Sequence, residues 1–171
     1  MRYARLTYAL ILSGAAAWCA LILLAPAAAS STRFGPLGAL LYASFSPLCH
    51  QIDARSFHLF GEPLAVCGRC SAIYFGFLAG AIMYPFARRS RRGGSAGRRF
   101  LLIALVPMLL DVALETAGLY ASTNAVHALT GAWFGVMLPF IVIPGAAEGV
   151  DQLFGDPHPH TAQPEKGLID A

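Results

Sequence analysis

Long apolar runs separated by short polar connections set the pattern of this chain. Apolar residues extend from about Leu6 to Leu24, from about Leu64 to Ala87, from Phe100 to about Leu119, and from Ala125 to about Ile143. A bilayer hydrocarbon core of about 30 Å needs roughly 20 residues of helix, since each residue rises about 1.5 Å. Inside that core every backbone N–H and C=O must be bonded within the segment, which makes a helix the cheapest solution for each run. The pattern predicts an all-α integral membrane bundle of four transmembrane helices. A fifth apolar stretch, Phe34 to Leu48, is too short to cross and holds Pro36 and Pro47 near its two ends, which predicts a re-entrant or interfacial helix.

The connections carry their own signals. A polar stretch follows from Cys49 to Glu62, and a tight turn, Tyr120 to Asn124, joins the third and fourth runs. Ser122 or Thr123 is placed to cap the first turn of the last helix. Gly76 and Gly80 in the second run, and Gly131 and Gly135 in the fourth, are small-residue pairs at four-residue spacing. Such pairs let a neighbouring helix approach closely. From Gly145 onward Pro, Gly, His and charged residues accumulate. Residues 1–145 are therefore expected to form the membrane domain and residues 146–171 a disordered cytoplasmic tail.

Composition sharpens the class. Of 171 residues, 57% are hydrophobic and 12% charged, about half the roughly 25% charge of a soluble domain. The net charge of +3 comes from clusters, chiefly six arginines between Arg88 and Arg99 around Gly93-Gly94-Ser95-Ala96-Gly97. A basic run can mark nucleic-acid binding. Here it lies between two spans, where the positive-inside rule accounts for it, so nucleic acid is set aside in favour of the lipid bilayer. The same rule puts this linker, Arg2 and Arg5 in the cytoplasm. Four crossings of the plasma membrane then leave both termini inside, and place Ser30–Pro63 and Tyr120–Asn124 together outside. Ala25-Pro26-Ala27-Ala28-Ala29-Ser30 resembles a signal-peptidase site, but the preceding apolar stretch exceeds the 7–15 residues of a signal peptide, which favours an uncleaved helix.

The reactive residue types gather at the outward connections. Cys49-His50-Gln51 closes the short apolar segment, Arg55-Ser56-Phe57 follows, and Cys67-Gly68-Arg69-Cys70 opens the second span. Asp111 and Glu115, four apart, share one face in the outer half of the third helix. His127 lies at similar depth at the start of the fourth helix, with Thr130 on its face. Charges at membrane depth cost about 2.5–3.5 kcal/mol each on insertion scales, so these carboxylates need partners, and Arg55, Arg69 and His127 are the candidates. A purely structural ion pair is the alternative. A C-x-x-C pair brings two sulfurs within reach of one metal ion or of each other. Cys49, His50, Cys67 and Cys70 are the candidate metal ligands, zinc being the default ion for thiolate and imidazole. Gln51, Arg55, Ser56, Arg69, Asp111, Glu115, Asn124 and His127 surround them. Because neighbouring residues of an extended chain point oppositely, Cys49 and His50 need a turn to reach one ion together.

Other chemistries stay open. Cys67 and Cys70 can instead form a redox-active pair with Cys49 resolving, as in membrane thiol oxidoreductases that pass electrons to a quinone. Those enzymes usually carry a second pair, whereas the one remaining cysteine, Cys19, lies inside the first span as a packing residue. A structural disulfide, or a transporter or lipid-handling protein whose arginines hold an anionic group, are further readings. The C-x-x-C-H motif of covalent haem attachment is not met, since Ser71 rather than His follows Cys70. His58, His158 and His160 read as solvated.

At these same residues the sequence resembles the domain of unknown function 2085 family of small prokaryotic membrane proteins. The matching stretches are Cys49-His50-Gln51, Arg55-Ser56-Phe57, Gly61, and Cys67 through Phe77. Pro107, Asp111, Gly118-Leu119-Tyr120, Ser122-Thr123-Asn124 and Thr130-Gly131 match as well. The likeness covers about residues 45–135. Gly68 stands where relatives often have alanine, Ser71-Ala72 where they often have Thr-Gly, and His127 where a basic residue, commonly arginine, is expected. The resemblance implies the membrane class and this choice of site residues, and it implies no reaction.

Overall fold

The computed structural model describes residues 2–88 and 96–154, and they are mostly helical. The chain begins with α1 (Arg2–Ala29) and a short helix, α2 (Gly35–Phe45). A loop follows that contains a 3-10 turn (Asp53–Arg55) and a two-residue hairpin, β1 (His58–Leu59) and β2 (Glu62–Pro63). Four further helices complete it: α3 (Gly68–Arg88), α4 (Ala96–Thr116), α5 (Asn124–Met137) and α6 (Pro139–Phe154). Leu138 keeps right-handed helical backbone angles, so α6 continues α5.

Among the described residues, three stretches are long and apolar enough to cross a bilayer: Ala4–Ala29, Gly68–Ala87 and Asn124–Phe154. Helix α4 places Asp111 and Glu115 in its last two turns, which gives it a more polar end. Several boundaries differ from the sequence expectation for physical reasons. Helix α1 continues beyond Leu24 through Pro26 to Ala29, carried by the alanine run. Helix α3 begins at Gly68, not near Leu64. Leu64, Ala65 and Val66 are apolar because they are buried beneath the loop, not because they are helical. Residues 146–154, expected in the disordered tail, are helical: Ile143 is buried, and Pro144, Ala147, Glu148 and Asp151 line a cleft with Ala4, Arg5 and Tyr8 of α1. Residues 155–171 and the central part of the arginine linker lie outside the described residues.

The helices alternate in direction. Tyr8 donates to the Ala81 carbonyl (3.2 Å) and Cys19 to the Tyr74 carbonyl (3.5 Å), so α1 runs antiparallel to α3. Trp133 donates to the Ile103 carbonyl (3.4 Å), and His127 meets Glu115, so α4 runs antiparallel to α5. Between α3 and α5 the direction is shared. A Cβ on Gly76 would lie 2.8 Å from the Ala132 carbonyl oxygen, and one on Gly131 would lie 2.6 Å from that of Arg69. Gly80 and Gly135 abut Val136 and Ile73 in the same way. The two small-residue pairs therefore form one seam, as their spacing predicted.

This path gathers the C-terminal ends of α1 and α4, the N-terminal ends of α3 and α5, helix α2 and the hairpin loop at one end of the molecule. The loop is fastened there by backbone geometry. Phe60 and Gly61 both take positive φ (56° and 84°), the requirement of a tight two-residue hairpin turn. Gln51, at φ 50°, turns its amide to donate to the carbonyls of Tyr42 and Ala65, each at 2.8 Å, and so ties the end of α2 to the approach to α3.

Candidate thiol and ion-pair site

Cys49 and the Cys67–Cys70 pair reach one place by different routes. The core under the loop, formed by Ile22, Ala25, Phe45, Leu64, Ala65 and Val66, buries Cys49 and packs Cys67 and Cys70 against it. The helical start at Gly68 then brings Cys67 and Cys70 to one side, three residues apart. The sulfurs of Cys49, Cys67 and Cys70 all lie within 4.8 Å of one another. All four cysteines of the chain are free thiols. The Cys67 backbone N–H donates to the Cys49 sulfur at 3.2 Å and so ties the two segments together at the cluster. The Cys67 thiol, one residue ahead of α3, is lowered to about 5, first through the hydrogen bond from the Cys70 thiol and against the opposing effect of burial. His50 is exposed and is not in this cluster; the next residue, Gln51, is the one turned inward.

Arg69, between the two cysteines of the pair, belongs to a second group. Its terminal nitrogen donates to Asp111 Oδ2 at 2.5 Å and to Glu115 Oε2 at 3.2 Å. Glu115 also receives Arg55 at 3.0 Å on Oε1 and His127 Nε2 at 3.1 Å on Oε2. Asp111, 4% exposed, accepts from Tyr120, from Ser122 at 2.9 Å and from Thr130 at 3.4 Å as well. That Asp111 contact holds the Tyr120 hydroxyl, in the turn beyond α4, above its ordinary range. The network thus joins α3, α4, α5, the loop and the turn. Two carboxylates face two guanidinium groups and the His127 ring.

The expected surrounding residues divide accordingly. Arg55, Arg69, Asp111, Glu115 and His127 meet in the ion-pair network. Asn124 stands beside it and donates to the Ala54 carbonyl at 3.2 Å, fixing the loop against the start of α5. Thr123 caps that helix by accepting from the Val126 N–H. Ser56 is buried, but its hydroxyl serves its own turn by donating to the Ile52 carbonyl at 2.9 Å. His58 is exposed and pairs with Asp53 at 3.0 Å. Tyr120, Ser122 and Thr130 belong to the network although they were not singled out for it. Thr130 was visible on the face of His127. Tyr120 and Ser122 sit nine and eleven residues past Asp111 in a turn that folds back, a relation no helical spacing reveals.

A helical membrane protein with a three-thiol cluster beside a buried ion-pair network is the class these features define. The chain belongs to the family described as predicted membrane protein (DUF2085), which matches residues 49–141 and so takes in both groups of residues. It is 40% identical over 104 residues to an uncharacterised protein of Methanocaldococcus jannaschii, covering 61% of this chain and 67% of that protein. No solved structure matches it.

Proposed function

We propose that this chain is a four-crossing plasma-membrane protein whose outward end holds a soft divalent metal ion, zinc by default, on Cys49, Cys67 and Cys70. The mutual approach of three sulfurs from two separate segments carries the reading. Around tetrahedral zinc, with Zn–S near 2.3 Å, sulfurs stand about 3.8 Å apart, so the observed cluster needs little closure. The lowered Cys67 thiol suits a thiolate ligand. Three protein ligands leave the fourth position for water or a substrate atom, as in sites that activate a ligand. His50 completes the tetrahedron only if the chain at Gln51 rotates it inward.

The orientation rests on charge. Arg5 and the two helix ends that border the arginine linker share the end opposite the thiols, and basic ends stay in the cytoplasm. Helix α4 is the fourth crossing, its two acidic residues neutralised by the arginines that meet them. The test is to purify the protein without chelator, measure bound metal and count free thiols. About one metal ion per chain with reduced cysteines is expected, lost in Cys67→Ser and Cys70→Ser and kept in Cys19→Ser. Full occupancy in the Cys67→Ser and Cys70→Ser proteins would remove the reading.

A second reading, a thiol–disulfide oxidoreductase, draws on the same pair one helical turn apart, half-buried with Cys49 in reach as resolving thiol. Absence of metal together with an oxidised Cys67–Cys70 pair would select it. An anion-holding transporter gains less support, because Arg55 and Arg69 both already meet carboxylates.

A further inference from the structure

The three sulfurs of the thiol site sit in apolar surroundings. Cys49, 7% exposed, belongs to the core of Ile22, Phe45, Leu64 and Val66, and Cys67 and Cys70 are half-buried against that core beside Trp18 and Tyr74. Among the described residues no histidine or carboxylate joins the three sulfurs in their cluster. The cation nearest in sequence, Arg69, is already engaged by Asp111 and Glu115. The site thus offers three soft donors and no fourth side chain, and its neighbouring guanidinium is spent on other charges. Formal charge then sorts the ions that such a site can hold. With three thiolates, a cuprous ion leaves two negative charges, zinc leaves one, and a trivalent metalloid leaves none. A net charge among apolar side chains costs free energy that a neutral complex avoids. Coordination points the same way. Zinc asks for a fourth ligand, whereas trivalent arsenic or antimony makes three bonds and keeps a lone pair in the fourth direction.

We propose that this three-sulfur cluster captures a trivalent metalloid hydroxide, arsenite or antimonite, as a neutral trithiolate. The inference rests on the three-sulfur site proposed above, and not on zinc being its ion. Three S–As bonds form as three As–O bonds break. Each oxygen departs as water, its hydroxide taking up one proton from a thiol or, where the sulfur is already ionised, from solvent. Arsenic stays trivalent and no sulfur is oxidised. The incoming hydroxide is itself small and neutral, and the half-buried Cys67 and Cys70 give it access before Cys49 closes the third bond.

The test uses the full chain in mild detergent, reduced with a thiol-free phosphine, with sodium arsenite as the probe. Uptake of one arsenic per chain should lower the free thiols from four to one, Cys19 remaining. X-ray absorption at the arsenic edge should show three sulfur neighbours and no oxygen. Cys49→Ser should weaken binding about a hundredfold, through loss of one of three linked contacts, and Cys19→Ser should leave it unchanged. Excess zinc should not displace the arsenic. Two sulfur neighbours in the parent protein, or equal binding by Cys49→Ser, would overturn the proposal, since the C-x-x-C pair alone would then explain capture. Displacement by zinc would do so too. Zinc content measured before arsenite is added separates the two claims. A zinc-loaded protein that takes up no arsenite removes this inference and leaves the metal site standing; arsenite held on three sulfurs by a zinc-free protein keeps the inference and removes zinc. Uptake of neither ion by the reduced protein removes both.

Discussion

Asp111 is the most heavily satisfied side chain of the molecule's polar end, with Arg69, Tyr120, Ser122 and Thr130 all donating to it. A carboxylate so far from water persists only with such company, and Arg69 is its one charged partner among the described residues. Arg69→Met should cost about 3–5 kcal/mol, because it strands Asp111 and removes one of the three partners of Glu115. Arg55→Met should cost less than about 1 kcal/mol, its side chain being 51% exposed. Thermal unfolding in mild detergent measures both, and equal losses would refute the division of labour between the two arginines. At this scale the sequence was informative where chemistry is scarce. Cysteines, and charges in an apolar run, announce themselves by the cost of their placement. His50 did not follow Cys49 inward because adjacent side chains diverge, and the Tyr120 contact depends on a turn whose closure no local spacing encodes.

Helices α3 and α5 pack in parallel with backbone against backbone, and that seam positions the thiol pair. The Arg69 carbonyl oxygen lies 2.6 Å from where a Cβ on Gly131 would stand, so the start of α3 is held directly by α5. Gly131→Ala must push the two helices apart by a fraction of an ångström, at about 1–3 kcal/mol. If the sulfurs hold metal, it should also lower metal occupancy, since Arg69 lies between two of the proposed ligands. Gly14→Ala, on the open rim of α1, should instead stabilise by up to about 1 kcal/mol through helix propensity. Unfolding temperatures of the two variants should move in opposite directions; a shared direction would show that the seam is not under close packing. The glycine spacing was readable in the sequence, whereas the pairing of helices and the end of the last helix were not. Leu64-Ala65-Val66 looked like the start of a span because burial beneath a loop selects the same residues as burial in lipid.

For the molecule as a whole, the direction of α1 with respect to α3, and of α3 with respect to α5, brings regions 42 to 78 residues apart to one end, since Arg69 meets Asp111 and Cys49 shares that end with His127. Membrane orientation then decides which compartment the thiols face. The orientation proposed from the basic linker and N-terminus makes the hairpin loop external, because several arginines are harder to translocate than a loop with few charges. Phe60, 68% exposed at the hairpin tip, and Leu153, 78% exposed near the end of α6, report on the two ends. In intact cells, Phe60→Cys should add one thiol labelled by a membrane-impermeant maleimide over the parent protein, while Leu153→Cys should add one only after permeabilisation. The reverse pattern would leave the fold standing but would turn the thiol cluster toward the reducing cytoplasm. There a quinone-coupled disulfide loses its oxidising compartment, and thiolate metal binding becomes the stronger of the two readings.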